Sequence, residues 1–98
     1  MNINFNLILH DTYRNTGFFN IKREYDRYFG EHNSMIKIFI EDRDNPINGR
    51  INRTANNNNT ARIMGGVKLK EWFRTLNHLQ NIKVIILNDY AIKIEVQR

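Results

Sequence analysis

The chain has 98 residues, 41% apolar and 26% charged, with fifteen Lys and Arg against ten Asp and Glu for a net charge of +5. This supports one modest core, so residues 1–98 are expected to form a single domain rather than a two-lobed enzyme with a cleft. With no cysteine and no apolar run longer than Val84 to Leu87, a disulfide framework, a thiolate zinc site, a cysteine nucleophile and a membrane-spanning helix are all excluded.

Met1 to His10 has no basic region ahead of an apolar one, so no signal peptide is expected and the chain reads as cytoplasmic, without a membrane partner. Instead Ile3, Phe5, Leu7 and Leu9 share one parity against Asn2, Asn4, Asn6, Ile8 and His10, the period-two pattern of a half-buried strand. His10 to Gly17 is polar and aperiodic, and Gly17 to Ile21 reads as a short aromatic strand. The period then changes. Ile21, Tyr25, Tyr28 and Phe29 fall at i, i+4, i+7 and i+8, which predicts a helix over Lys22 to Phe29, stopped by a left-handed Gly30.

Ser34 to Glu41 alternates around Ile36, Ile38 and Ile40, and Asn45-Pro46 and Asn48-Gly49 read as turns. Arg50 to Thr54 and Thr60 to Met64 are two strands of a hairpin whose tip is the run Asn56 to Asn59, and Gly65-Gly66 ends it. Val67 to Leu76 is a helix, with Leu69, Trp72, Phe73 and Leu76 at i, i+3, i+4 and i+7. Lys83 to Asn88 is a buried strand, Asn88-Asp89 a turn, and Ala91 to Gln97 a last strand with Ile92, Ile94 and Val96 inward.

Seven short strands with two helices exclude a doubly wound parallel sheet, which needs a helix at each crossover. The expected fold is mostly β with two short helices, its sheet curled into a seven-stranded open β-barrel that limits exposed edges. Phe19, Tyr25, Phe29, Trp72 and Phe73 lie at core spacing rather than on a stacking platform.

Catalytic patterns are missing. His10, His32 and His78 lie in separate segments with no HExxH spacing, Gly65-Gly66 is not followed by GK[ST], and there is no GxSxG. A restriction-type nuclease needs a carboxylate two positions before a lysine, on one strand face. Here those positions hold Asn20, Met35, Gly66, Lys68, Asn81 and Ala91. A phospholipase-like HxK is absent as well, since Thr12, Ser34 and Gln80 follow the histidines at that spacing. No catalytic residue, metal site or cofactor is expected.

Charge points to an anionic partner instead. Arginine outnumbers lysine nine to six and there are sixteen asparagines. Arginine suits bidentate contacts to phosphate or guanine, and asparagine matches the adenine edge. Ordinary solubility charge and an A+T-rich genome give the bland account of the same counts.

Arg62-Ile63-Met64-Gly65-Gly66-Val67-Lys68-Leu69-Lys70-Glu71-Trp72-Phe73, followed by Leu76, Leu79 and an apolar strand, resembles the DNA-binding pseudobarrel of plant B3 transcription factors. The same pseudobarrel serves bacterial restriction endonucleases as a target-recognition or effector domain. Phe18-Phe19-Asn20-Ile21 running into Lys22 to Gly30 matches the first strand-to-helix unit of that family, and the order of elements agrees along almost the whole chain. The Gly-Asp that usually precedes the penultimate strand is Gln80-Asn81 here. The bacterial branch is the better match.

The resemblance implies sequence-specific binding of double-stranded DNA by two arms that enter the major groove. By position the first arm is Tyr13, Arg14, Asn15 and Thr16. The second is Asn52, Arg53, Thr54, Asn56, Asn57, Asn58, Asn59, Thr60 and Arg62. Arg43 and Arg50 lie toward the other end of the hairpin and are ranked below them. A hairpin fits a groove roughly 12 Å wide, and each good bidentate pair discriminates by about 1–3 kcal/mol. The remaining Lys and Arg would neutralise phosphates without reading sequence. The resemblance further implies a restriction-modification setting, with a nuclease domain or subunit of the same system doing the cutting. The rivals are a small barrel for single-stranded nucleic acid or RNA, which needs exposed strand aromatics, and a protein-interaction module.

Overall fold

A computed structural model describes residues 3–97. Asn2, expected at the start of the first strand, lies outside the described residues. The chain runs β1 (Ile3–Ile8), α1 (Asp11–Thr16), β2 (Phe18–Asn20), a 3-10 helix (Arg23–Tyr28), β3 (Met35–Ile40), β4 (Ile47–Asn52), β5 (Arg62–Met64), α2 (Gly66–Arg74), β6 (Asn81–Asn88) and β7 (Ala91–Val96). The strands form one sheet in the order β1-β6-β7-β3-β4-β5-β2. Among the described residues only β3 and β7 pair in parallel, Ile38 opposite Ile92. The sheet curls into an open barrel whose two edges are β1 and β2, as expected for a pseudobarrel.

Alternation builds the core. Phe5, Leu7 and Leu9 of the first strand and its extension, Ile36, Ile38 and Ile40 of β3, and Ile82, Val84 and Ile86 of β6 all point inward and are buried. Ile92 and Ile94 complete the row from β7. Burying side chains of this size contributes about 1.5–3 kcal/mol each. Helix α2 buries Leu69, Trp72 and Phe73, and Phe73 meets Phe19 edge-on at 6.5 Å.

Four local expectations change. The segment Asp11–Thr16, read as an aperiodic loop, is a short α-helix. It ends at Gly17, which takes φ +77 and donates its N–H to the Tyr13 carbonyl. A Cβ at Gly17 would collide with the Gly66 carbonyl of α2, so the two helices approach where only glycine fits. The Lys22 to Phe29 helix is a 3-10 helix, because tertiary bonds to Arg53 and Ala61 claim its Asp26 side chain and its last carbonyls. Gly30 is not left-handed; it gives room to the Tyr90 ring. Asn48-Gly49 lies inside β4, Gly49 opposite Ile36, because a side chain there would meet the Met64 carbonyl at 2.8 Å.

Candidate nucleic-acid interface

Helix α1 bridges β1 to β2 and carries the first expected arm. Asp11 sits in its first turn and Arg14 in its last, the charge order a helix dipole favours, and the two side chains approach to 3.6 Å. Tyr13 turns inward: its ring meets Phe18 edge-on at 5.9 Å, and its hydroxyl accepts the Asn20 backbone N–H at 3.4 Å. Arg14 is largely covered, 28% exposed, with its Nε buried and unpartnered. Asn15 and Thr16 are exposed. The arm is braced from the α2 side, where Arg74 Nη1 donates to Asn15 Oδ1 at 3.2 Å and His78 Nδ1 lies 2.8 Å from Asp11.

The second arm is the loop 53–61 between β4 and β5, and side chains within it set its shape. Asn52 Oδ1 accepts the Thr54 and Ala55 N–H groups at 2.9 and 3.0 Å, an Asx turn in which the side chain replaces a backbone acceptor. Asn58 Oδ1 accepts the Thr60 N–H at 3.2 Å and its hydroxyl at 2.7 Å. Asn59 takes φ 61, a left-handed conformation that asparagine adopts more readily than most residues. Thr60 is buried.

The structure divides the expected arm residues by the direction they face. Arg53 points inward. Its Nη1 donates to both Asp26 carboxylate oxygens at 2.8 and 2.9 Å, Nε to the Gly30 carbonyl at 2.8 Å and Nη2 to the Phe29 carbonyl at 2.9 Å. A guanidinium so engaged has no fork left for a base. Asn52, Asn56 and Thr60 hold the loop, and Tyr13 packs against the core. Thr54, Asn57, Asn58 and Asn59 face solvent. Among the described residues the side chains of Asn57 and Asn59 make no hydrogen bond. Arg50, ranked lower, is tied to the Asn33 carbonyl at 2.7 Å.

The two arms converge on Asn20, which the sequence alone does not single out. Asn20 pairs across β2 and β5 with Arg62, and Arg62 pairs in turn with Asn52. Its Oδ1 accepts Arg62 Nε at 3.0 Å and Asn56 Nδ2 at 3.1 Å, while its backbone N–H reaches Tyr13. Two shallow clefts share Asn20 in their linings. One is edged by His10, Tyr13 and Lys22, the other by Asn56, Asn57, Asn58 and Thr60. Arg14 and Asn57 are each next in sequence to a residue that touches Asn20. The signal available in the sequence was the outward parity of Asn20, a polar residue ending an aromatic strand, but nothing in spacing reveals its partners 36 and 42 residues away.

Arg62 lies over the Phe18 ring at 4.1 Å, a cation–π contact that covers this strand aromatic. Phe5 and Phe19 are buried. Among the described residues no three His, Asp or Glu side chains gather as a metal site, and no helix is long and apolar enough to cross a membrane.

No protein-family model matches the chain, and no curated protein matches it in sequence. Two solved structures share its fold. The N-terminal domain of Helicobacter pylori LlaJI.R1 superposes with a TM-score of 0.75 at 10% identity, covering 100% of this chain and 82% of that one. The hypothetical Arabidopsis thaliana protein At1g16640.1 superposes with a TM-score of 0.70 at 7% identity, covering 99% and 91%. At these identities the likeness is one of fold alone: a mostly β, curled seven-stranded sheet consistent with a pseudobarrel.

Proposed function

We propose that the chain binds double-stranded DNA sequence-specifically, with α1 and the 53–61 loop entering the major groove and no bond-breaking chemistry of its own. The observation that carries this reading is the convergence of two polar arms on Asn20, with Arg14, Lys22, Arg62 and Arg74 in or beside them. The fold likeness supports it, since two structures that share the fold come from a bacterium and a plant, the two sources that the sequence resemblance joins. Arg14, Asn15, Thr16, Thr54, Asn57 and Asn59 are the base-facing candidates. Tyr13, Asn52, Arg53, Asn56, Asn58, Thr60 and Arg62 hold them in place. By the same resemblance, residues 1–98 act as the target-recognition unit of a restriction system whose nuclease is a separate domain or subunit.

A single-stranded partner is disfavoured because stacking needs open aromatic faces, and of the strand aromatics Phe5 and Phe19 are buried, Arg62 covers Phe18 and Phe39 is half-buried on β3. Selection from a randomised duplex pool is the test. Enrichment of one short motif, with weaker binding of a polypyrimidine strand, is the expected result. A folded protein that enriches nothing at low salt rejects the reading in favour of a protein-interaction module.

A further inference from the structure

Asparagine normally offers a base either a donor or an acceptor, because its amide can turn over. Asn20 lacks that freedom. Its Oδ1 accepts from Arg62 Nε at 3.0 Å and from Asn56 Nδ2 at 3.1 Å. Both partners present only N–H at these atoms, so the oxygen must face them. The lock is itself held: Arg62 rests on the Phe18 ring at 4.1 Å, and Asn56 Nδ2 also donates to the Thr60 carbonyl at 3.2 Å. The Asn20 Nδ2 therefore faces away from them with two N–H groups and no hydrogen-bond partner among the described residues. It is not a buried orphan, and Asn20 lines both clefts beside the arms.

We infer that Asn20 is a specificity-determining residue that reads one base edge as a donor only. This rests on the duplex-binding reading above. In the major groove guanine, adenine and thymine each present an acceptor, whereas cytosine presents only its N4 donor. A fixed donor thus excludes cytosine at one position and accepts the other three, a readout that the flexible Asn57 and Asn59 side chains do not give. Preorganisation is what makes a single hydrogen bond selective, because turning the amide over would break two bonds to Arg62 and Asn56.

The test is selection from a randomised duplex pool with the unaltered protein, Asn20→Ala and Asn20→Asp, each checked for folding by thermal melting. The unaltered protein should yield a motif with one column that excludes cytosine by about fivefold, the discrimination typical of one net hydrogen bond. That column should lose its bias in Asn20→Ala. In Asn20→Asp, which presents only acceptors, it should turn toward cytosine and adenine, the two bases whose amino groups donate in the major groove. In the unaltered protein the Asn20 side-chain amide resonances should also shift on titration with the selected duplex, a readout that needs no variant. A motif that persists unchanged in Asn20→Ala, an even loss at every column, or amide resonances that stay put would each overturn the inference while leaving duplex binding intact. Failure of the unaltered protein to enrich any motif would overturn duplex binding itself, and the inference with it.

Discussion

Arg53 and Asp26 face each other across the base of the second arm, with Arg53 Nη1 2.8 and 2.9 Å from the two carboxylate oxygens. Asp26 Oδ1 also accepts the Ala61 N–H at 2.7 Å, so one carboxylate ties down both ends of the 53–61 loop. The same guanidinium takes the Phe29 and Gly30 carbonyls, acceptors left over at the end of the 3-10 helix. A residue with the chemistry of a guanine reader therefore works as the brace of the 53–61 loop.

Removing either partner should be costly. The pair is only 20% and 24% exposed, and hydrogen bonds to charged groups contribute about 1.5–3 kcal/mol. Arg53→Ala and Asp26→Ala should each lower unfolding free energy by about 2–3 kcal/mol in urea denaturation. Arg53→Lys should recover less than half, since an ammonium cannot fork. In duplex binding, Arg53→Ala should weaken every sequence alike. Loss of preference at a single base would instead restore Arg53 as a reader.

Much of this architecture was legible in the sequence because alternation and helical period report burial directly. The strands around Ile38, Val84 and Ile94 and the face Leu69, Trp72, Phe73 follow from it. The departures have a common cause, bonds between distant segments. Asp26 gives up an α-helical turn to reach Arg53 and Ala61, and Gly49 reads as a turn residue until Met64 crosses it. The arms were legible as polar and aperiodic; which of their side chains face inward was not, because Asn52 and Asn57 are chemically identical. Only the Asx turn at Asn52 and the open exposure of Asn57 separate them.

Two left-handed positions should respond in opposite directions. Gly17 has φ +77 and no room for a Cβ beside the Gly66 carbonyl. Gly17→Ala should therefore cost more than the roughly 1–2 kcal/mol of conformational strain alone and loosen α1 from α2. Leu79 takes φ 61 with an exposed side chain, just before the Gln80-Asn81 that stands in place of Gly-Asp. Leu79→Gly should raise stability by about 0.5–1 kcal/mol, the strain relieved less the added unfolded-state entropy. Paired thermal melts read both.

A small pH dependence is expected at Glu31 and Tyr90. The Tyr90 hydroxyl donates to Glu31 Oε2 at 2.7 Å, which holds the Glu31 carboxyl below its ordinary value and pushes the Tyr90 phenol above its own. A lowered carboxyl stabilises the fold above the ordinary glutamate range and loses that as pH falls through its folded value. A raised phenol does so below the ordinary tyrosine range and loses it as pH rises through its folded value. The stability gap between the unaltered protein and Tyr90→Phe should be widest around neutrality and close at both extremes. In an NMR titration of Tyr90→Phe, Glu31 should move back up; an unmoved Glu31 would assign its shift elsewhere.

The loop tip offers the sharpest separation of holding from reading. Asn57 is exposed and its side chain bonds to nothing among the described residues, so Asn57→Ala should change stability by less than about 0.5 kcal/mol. Asn58 accepts two bonds from the buried Thr60, so Asn58→Ala should cost about 1–2 kcal/mol by leaving them unmade. If the tip reads bases, Asn57→Ala should relax the selected motif at a single column with the fold untouched. Lys22→Ala, at the rim of the neighbouring cleft, should instead weaken all duplexes evenly. It should also flatten the slope of log affinity against log salt by about 0.9 for each phosphate no longer neutralised. Anisotropy titrations across a salt series distinguish the two, because a base reader changes which sequence wins and a phosphate neutraliser changes only how tightly any sequence is held.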